Sequence, residues 1–288
     1  SGVLTAAASA PAIVSTGQWC VVTLTVTNTG SAAVTGILPD LAAGPLLDVQ
    51  GTVTPAGPQT LNAGAAVPFV WTYSASGAGT PSFTATATGT SLCGAIAGSA
   101  DAALLVQSRA AVTASLTAGP TPRNTGQPFL VTLDVSNAGQ ADATGFTVAP
   151  FDVAGSGGIG SAAGPWPVIP AILTGGATLS FTWTYTGSPA GTLGFTTTIT
   201  AADANSAAGV TFGPVASNAV LIQTPAALAA AMQVWSGTVC LGSNLTVTVT
   251  VSSPPESSAA GLPAACARSA ASPCCAAILR ASPVVSAS

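Results

Sequence analysis

Residues 16–30, TGQWCVVTLTVTNTG, decide the fold because the chain repeats them. Residues 125–139 read TGQPFLVTLDVSNAG, and a weaker copy at residues 241–253 reads LGSNLTVTVTVSS. Each copy alternates apolar and small polar residues, which is the period of a half-buried β-strand. The first two copies end in Asn-x-Gly, which predicts a turn with positive backbone φ angles.

A second strand also repeats, since FVWTY at residues 69–73 returns as FTWTY at residues 181–185. Short strand patterns separated by Gly, Pro and Asn turns are typical of a β-sandwich. We therefore predict an all-β chain of tandem immunoglobulin-like β-sandwich modules with a partial third module and an irregular tail. The expected boundaries are 1–109 for module 1, 110–224 for module 2, 225–252 for the partial third module and 253–288 for the tail, which contains Cys and Pro.

One face of the repeated strand is predicted to line the core. Cys20, Val22, Leu24 and Val26 alternate with small polar residues, and their counterparts in module 2 are all apolar. The aromatic side chains of residues 69, 71 and 73 also share one face. We expect them to point inward.

Composition excludes several classes of function. Charged residues make up 4% of the chain, the net charge is -4, and Lys and His are absent. Nucleic acid is not an expected partner, because its binding relies on clustered Lys and Arg. No window approaches the ~20 apolar residues of a membrane helix, so membrane insertion is not expected. The sequence begins without a basic leader, so we expect any signal peptide to have been removed or to lie outside this fragment.

Two cysteines are specific to module 1. Cys20 aligns with Phe129, and Cys93 aligns with Asn205. Because both are present in one copy and both are missing from the other, we predict a Cys20–Cys93 disulfide and an oxidising compartment. The alternative is two buried free thiols. The pairing of the remaining cysteines, at positions 240, 266, 274 and 275, is left open.

The residue types needed for most catalysis are missing. Without His or Lys there is no Ser-His-Asp triad and no Schiff base. Acidic residues are dispersed and match no calcium loop, so no metal or other cofactor is predicted. Asp134 and Asp203 could form a glycosidase pair, but two such aspartates are more often solvated charges. We expect a protein that is not an enzyme.

Trp19 and Trp166 have no tryptophan counterpart in the other module. Large aromatic side chains usually bury when they can, so local packing in loops is the favoured expectation. The alternative is that they bind a ligand, with carbohydrate as the best candidate.

The strands VTLTVTNTG and VTLDVSNAG, together with GAAVPFVW at residues 64–71 and GATLSFTW at residues 176–183, resemble bacterial and archaeal surface-protein repeats. The chain is similar to the conserved-repeat domain of envelope proteins and to the cell-adhesion-related domain CARDB. One departure is the order Leu38, Pro39, Asp40, since the aspartate usually precedes the leucine-proline pair. The resemblance implies a prokaryotic extracellular or cell-surface β-sandwich with a structural or adhesive role.

The partial third module suggests a mode of assembly. Its strands, near residues 228–231 and 244–251, are predicted to lack the partners that would bury them, and therefore to pair with another subunit or to fold back on module 2. The candidates for strand donation are Asn244, Leu245, Val247, Val249 and Val251. The predicted partners are copies of this chain, as a homo-oligomer or filament, or other cell-surface components. The alternative function is a carbohydrate- or ligand-binding accessory module of a larger surface protein.

Overall fold

The computed structural model describes residues 1–234, 247–252 and 276–278. Every regular element in this part of the chain is a β-strand, which confirms the predicted all-β class. No helix among the described residues is long and apolar enough to cross a lipid bilayer.

Module 1 is a sandwich of two four-stranded sheets with a short parallel pair at one end. Its ten strands are β1 (Leu4–Ser9), β2 (Ile13–Ser15), β3 (Trp19–Asn28), β4 (Val34–Ala43), β5 (Leu47–Val49), β6 (Gln59–Leu61), β7 (Ala66–Ala75), β8 (Ser82–Ser91), β9 (Gly94–Ala103) and β10 (Leu105–Gln107). One sheet has the order β1-β3-β7-β5 and the other β6-β4-β8-β9, while β10 pairs with β2 in parallel.

Module 2 repeats this plan with additional strands. It contains β11 (Val112–Gly119), β12 (Arg123–Asn124), β13 (Pro128–Asn137), β14 (Ala143–Val148), β15 (Asp152–Ala154), β16 (Ile159–Trp166), β17 (Ile172–Leu173), β18 (Thr178–Gly187), β19 (Gly191–Asp203), β20 (Gly209–Ala216) and β21 (Val220–Gln223). The first sheet is β11-β13-β18-β16, and the second follows the order β12-β21-β19-β14-β17, with β15 and β20 also paired to β19.

Each module has its own apolar core between its two sheets. Val22, Leu24 and Val26 are fully buried, as are their counterparts in module 2, which confirms the predicted inward face of the repeated strand. Phe69, with its neighbours at positions 71 and 73, is also buried. Removing these apolar side chains from water supplies the main driving force for folding each sandwich.

The Asn-x-Gly motif has a different role from the one predicted. Neither its asparagine nor its glycine has a positive φ angle. Asn28 is instead buried, and its amide nitrogen donates hydrogen bonds to the carbonyl oxygens of Ala32 and Leu61. Leu61 belongs to the opposite sheet, so the asparagine side chain ties the two sheets together. In module 2, Asn137 makes the same pair of bonds to Ala141 and Leu173.

The glycine of the motif is required by close packing. A Cβ atom on Gly30 would lie 2.3 Å from the carbonyl oxygen of Ser1, and one on Gly139 would lie 2.0 Å from the carbonyl oxygen of Arg109. Neither oxygen can move away without shifting the backbone. The chain segment that enters each module therefore passes directly over the glycine.

The third repeat forms a three-stranded antiparallel sheet. Strands β22 (Ala229–Val234), β23 (Val247–Ser252) and β24 (Ala276–Ile278) pair in that order. Strands β22 and β23 thus pair with each other, and residues 276–278, within the tail that was predicted to be irregular, contribute the third strand. Asn244 and Leu245, two of the strand-donation candidates, lie outside the described residues.

Register shows that this sheet is the counterpart of the first sheet in each complete module. The cross-strand row Leu116–Leu133–Phe181 of module 2 corresponds to the row Ala8–Leu24–Phe69 of module 1. In the third sheet the equivalent row is Met232–Val249–Ala277. Leu116 is 5% exposed whereas Met232 is 68% exposed. The face that is buried in the complete modules is therefore open at Met232.

Candidate functional site: the junction between the modules

Residues 108–111 link the two sandwiches, and each of these four linker residues donates a hydrogen bond to one of the modules. The nitrogen of Ser108 donates to the side chain of Gln140 in module 2, and the guanidinium of Arg109 donates to the carbonyl oxygen of Thr16 in module 1. The next two residues, Ala110 and Ala111, donate their backbone N–H groups to Asp203 and Asn137. A linker bonded at every position cannot act as a flexible hinge.

Asp203 lies at the centre of this junction and is 1% exposed. One carboxylate oxygen accepts a 2.8 Å hydrogen bond from the hydroxyl of Ser15, which belongs to module 1. The other accepts a 2.8 Å bond from the backbone N–H of Ala110 in the linker. Module 2 supplies further donors, the backbone N–H groups of Asn205 and Ser206 and the hydroxyl of Ser206. One carboxylate thus joins module 1, the linker and module 2.

Asn205 extends the network into module 1. Its amide nitrogen donates to the side chains of Ser15 and Gln107, at 3.2 and 2.8 Å. Its carbonyl oxygen accepts a bond from the amide of Gln18. Three side chains of module 1 therefore contact one short segment of module 2.

The carboxylate of Asp203 is held in its ionised form. Burial by itself would raise its pKa, but the hydrogen bonds from Ala110, Ser206 and Ser15 outweigh burial and lower the pKa from 3.8 to about 2. The charge can remain buried because several donors point at it.

No sequence pattern indicated this junction, and the prediction that Asp203 is a solvated charge was wrong. The Ser15 donor lies 188 positions away in the chain, so no local pattern could connect the two residues. Asp134, the other aspartate considered for a glycosidase pair, is exposed on the outer face of the first sheet of module 2. The structure does not bring these two carboxylates together.

The predicted disulfide is also corrected, since Cys20 and Cys93 are both free. Cys20 is buried near the start of β3, and burial raises the pKa of its thiol. Cys93 is exposed in the β8–β9 turn, next to Ser91. Ser91 lies close to Gly2, which precedes β1 and is therefore beside the end of β3 at Asn28, whereas Cys20 is at the start of β3. The eight residues of strand from Cys20 to Asn28 span about 26 Å. A disulfide requires Cα atoms about 6 Å apart.

The two thiols should differ strongly in reactivity. Cys93 should react with a thiol reagent in the native protein, while Cys20 should react only after unfolding, because a buried neutral thiol is a poor nucleophile. Thiol titration of the Cys93→Ser variant should show one fewer fast-reacting group than the parent. The matched Cys20→Ser variant should show no change under native conditions, and a loss of a fast-reacting group there would contradict the burial of Cys20.

The two tryptophans that have no counterpart in the other module are both exposed, so the expectation that they pack locally in loops was wrong. Trp19 lies at the start of β3 and is 70% exposed, and Trp166 lies at the end of β16 and is 79% exposed. Each is part of a strand, where alternation of the side chains turns it toward the outer face of a sheet. Their indole rings are available to a ligand.

No protein-family model matches the sequence, and no curated protein matches it. Among solved structures the chain is similar to red sea bream transglutaminase, with 14% identity and a TM-score of 0.27 over 77% of this chain and 31% of that one. It is also similar to a mutant of Salmonella alpha-2-macroglobulin, with 17% identity and a TM-score of 0.33 over 81% of this chain and 17% of that one. The secreted serine protease VesC from Vibrio cholerae matches with 11% identity and a TM-score of 0.25 over 63% of this chain and 46% of that one.

The chain thus spans less than half the length of each of these structures. The class that the fold defines is an all-β protein built from β-sandwich modules.

Proposed function

We propose that this chain is a non-enzymatic, extracellular structural or adhesive protein in which the two sandwiches act as one rigid spacer at a prokaryotic cell surface or in a filament. The observation that carries the proposal is the junction at Asp203, where a buried carboxylate bonds to both modules and to the linker. A spacer has to keep its modules in a constant relative position under load. Contacts that fix the linker at every residue serve that purpose.

The resemblance to envelope repeats and to the CARDB domain supports the same proposal, since those modules are found on cell surfaces. Composition adds to it. A chain with 4% charged residues and no Lys or His has few of the groups that catalysis in solution requires. The outward-facing side chains of its strands are mostly Thr, Ser and Ala, as expected for a surface with a structural role.

Assembly through the third sheet is the second part of the proposal. In modules 1 and 2 the first sheet is covered by a second sheet, whereas the equivalent face at Met232 is exposed. We expect a second copy of this chain to cover it, because the sheet has the strand order and register of a half-sandwich that another half-sandwich can complete. Covering this apolar face would remove it from water and stabilise the assembled form.

Placing a charge on this face should prevent assembly. The Met232→Asp variant should sediment as a monomer at concentrations where the parent chain self-associates, because a carboxylate cannot be buried there without a partner. Analytical ultracentrifugation of both proteins, with negative-stain microscopy of the parent, measures this. Gln233→Asp, on the opposite face of the same strand, is the matched control and should assemble like the parent. A monomeric parent chain at all concentrations would contradict assembly through this sheet.

A further inference from the structure

The outer face of the first sheet of module 2 combines an exposed tryptophan with rows of hydroxyl groups. Trp166 pairs with Thr182, which pairs with Thr132 on the next strand. In the adjacent row, Asp134 stands between Ser115 and Ser180 on the neighbouring strands. Paired residues of antiparallel strands point to the same side, so the indole, the carboxylate and the hydroxyls share one surface.

The carboxylate of Asp134 is available on this surface. It is exposed at the middle of an interior strand, and it accepts no side-chain or backbone hydrogen bond from the part of the chain that is described. Asp134 lines an open depression of about 380 Å³, together with Thr113, Ser136 and Thr178. The depression therefore offers a carboxylate acceptor together with hydroxyl groups that both donate and accept.

The equivalent surface of module 1 lacks the carboxylate and part of the hydroxyl rows. Where module 2 has Ser180 and Thr182 on β18, module 1 has Pro68 and Val70 on β7, and Thr25 takes the place of Asp134. The two modules share a core and a strand plan, so folding does not require the hydroxyls or the aspartate of module 2. The difference between the two copies points to a ligand of module 2.

We propose that this surface, called here the hydroxyl face, binds a neutral saccharide chain. A sugar ring presents a C–H face that can stack on the indole of Trp166, as apolar groups do on aromatic rings. Its hydroxyl groups can donate to the carboxylate of Asp134 and exchange hydrogen bonds with the Ser and Thr side chains around it. A carboxylate in a chain of net charge -4 without lysine repels polyanions, so an acidic polysaccharide is not the expected ligand.

The geometry favours an extended chain over a single sugar. Trp166 and Asp134 are two strands and one row apart, which is about 12 Å across a flat sheet. A single ring cannot contact both groups, whereas successive rings of one chain can. The rigid-spacer role needs no ligand on this face, so the saccharide site goes beyond that role and would supply an adhesive contact.

Isothermal titration of the full chain with cellohexaose, chitohexaose and mannohexaose tests the proposal. At least one should bind, and Trp166→Ala should weaken that binding about tenfold or more, since a stacked aromatic contact is lost. Asp134→Asn should weaken it severalfold with unchanged thermal stability, because only the charge and one acceptor oxygen are altered. Polygalacturonate, a polyanion, should not bind.

Trp19→Ala is the matched control, because it removes an equally exposed tryptophan from the corresponding sheet of module 1. It should leave saccharide binding unchanged. Absence of binding to all three oligosaccharides would overturn the proposal, as would equal losses from Trp19→Ala and Trp166→Ala. The junction variant Asp203→Ala should bind like the parent, so failure of the rigid-spacer function and failure of the saccharide site are distinguishable.

Discussion

Asp203→Ala should lower the free energy of unfolding of module 2 by about 3 kcal/mol, because buried donors from both modules and the linker lose their shared acceptor. Calorimetry of the full chain should show the module 2 transition lowered by roughly 10 °C or more. The variant should also lose the fixed relation between the modules. Small-angle scattering should then show a broader distribution of interatomic distances than in the parent.

The matched control is Asp152→Ala, which removes an exposed aspartate from the same module. It should change stability by less than about 0.5 kcal/mol. If Asp203→Ala shifts the thermal transition but leaves the scattering unchanged, the junction stabilises module 2 without holding the two modules together. That result would remove the main support for the rigid spacer.

Acid should cause part of the loss of folding stability that Asp203→Ala causes. Because folding lowers the pKa of Asp203 to about 2, its ionised form stabilises the folded state above pH ~4, and this stabilisation disappears as the pH falls through about 2. The contribution is about 2 kcal/mol. The difference in stability between the parent and Asp203→Asn should therefore shrink between pH 4 and pH 2. A difference that stays constant over this range would show that the charge of Asp203 is not involved.

Asn137→Ala should destabilise module 2 by about 4 kcal/mol. Its side-chain oxygen accepts hydrogen bonds from the backbone N–H groups of Ala111 and Gly139, at 2.9 and 3.1 Å. Its nitrogen donates to the carbonyl oxygens of Ala141 and Leu173, at 2.9 and 3.2 Å. Alanine leaves all four groups buried without partners, and a denaturant titration of the parent and the variant measures the loss.

The internal repeat offers a matched test of this prediction. Asn28 makes the same four kinds of bond in module 1, so Asn28→Ala should destabilise that module by a similar amount. Ser136→Ala, one position before Asn137 and on the outer face of the strand, should have little effect. A loss below about 1 kcal/mol for Asn137→Ala would mean that water replaces the side chain at little cost.

Several strands were predictable from local pattern and several were not. The alternation of Val22, Leu24 and Val26 identifies β3 and its buried face, because side chains of a strand alternate between core and solvent. Strand β9, GAIAGSADAA, was not predicted as one strand, because alanine and glycine have low β-propensity. It forms because its backbone pairs along the full length of β8.

Cysteine and tryptophan show where inference from a repeat fails. The presence of both Cys20 and Cys93 in one module suggested a disulfide bond between them. An alignment of the repeats does not show how far apart two residues lie in space, and these two lie near opposite ends of the sandwich. Trp19 and Trp166 were expected to bury because aromatic residues usually do. Their strand registers turn them outward, and register is set by pairing with distant strands.

The sequence alone determined that this protein is a tandem array of β-sandwich modules, since period-2 alternation and an internal repeat are properties of neighbouring residues. Only the tertiary structure decided where the modules join and which outer face carries a carboxylate among hydroxyl groups. Asp203 and Ser15 meet, and Asp134 and Trp166 share a face, through pairing between strands that are far apart in the chain. Hydrogen bonds of this kind depend on the completed sheets, and no local pattern records them.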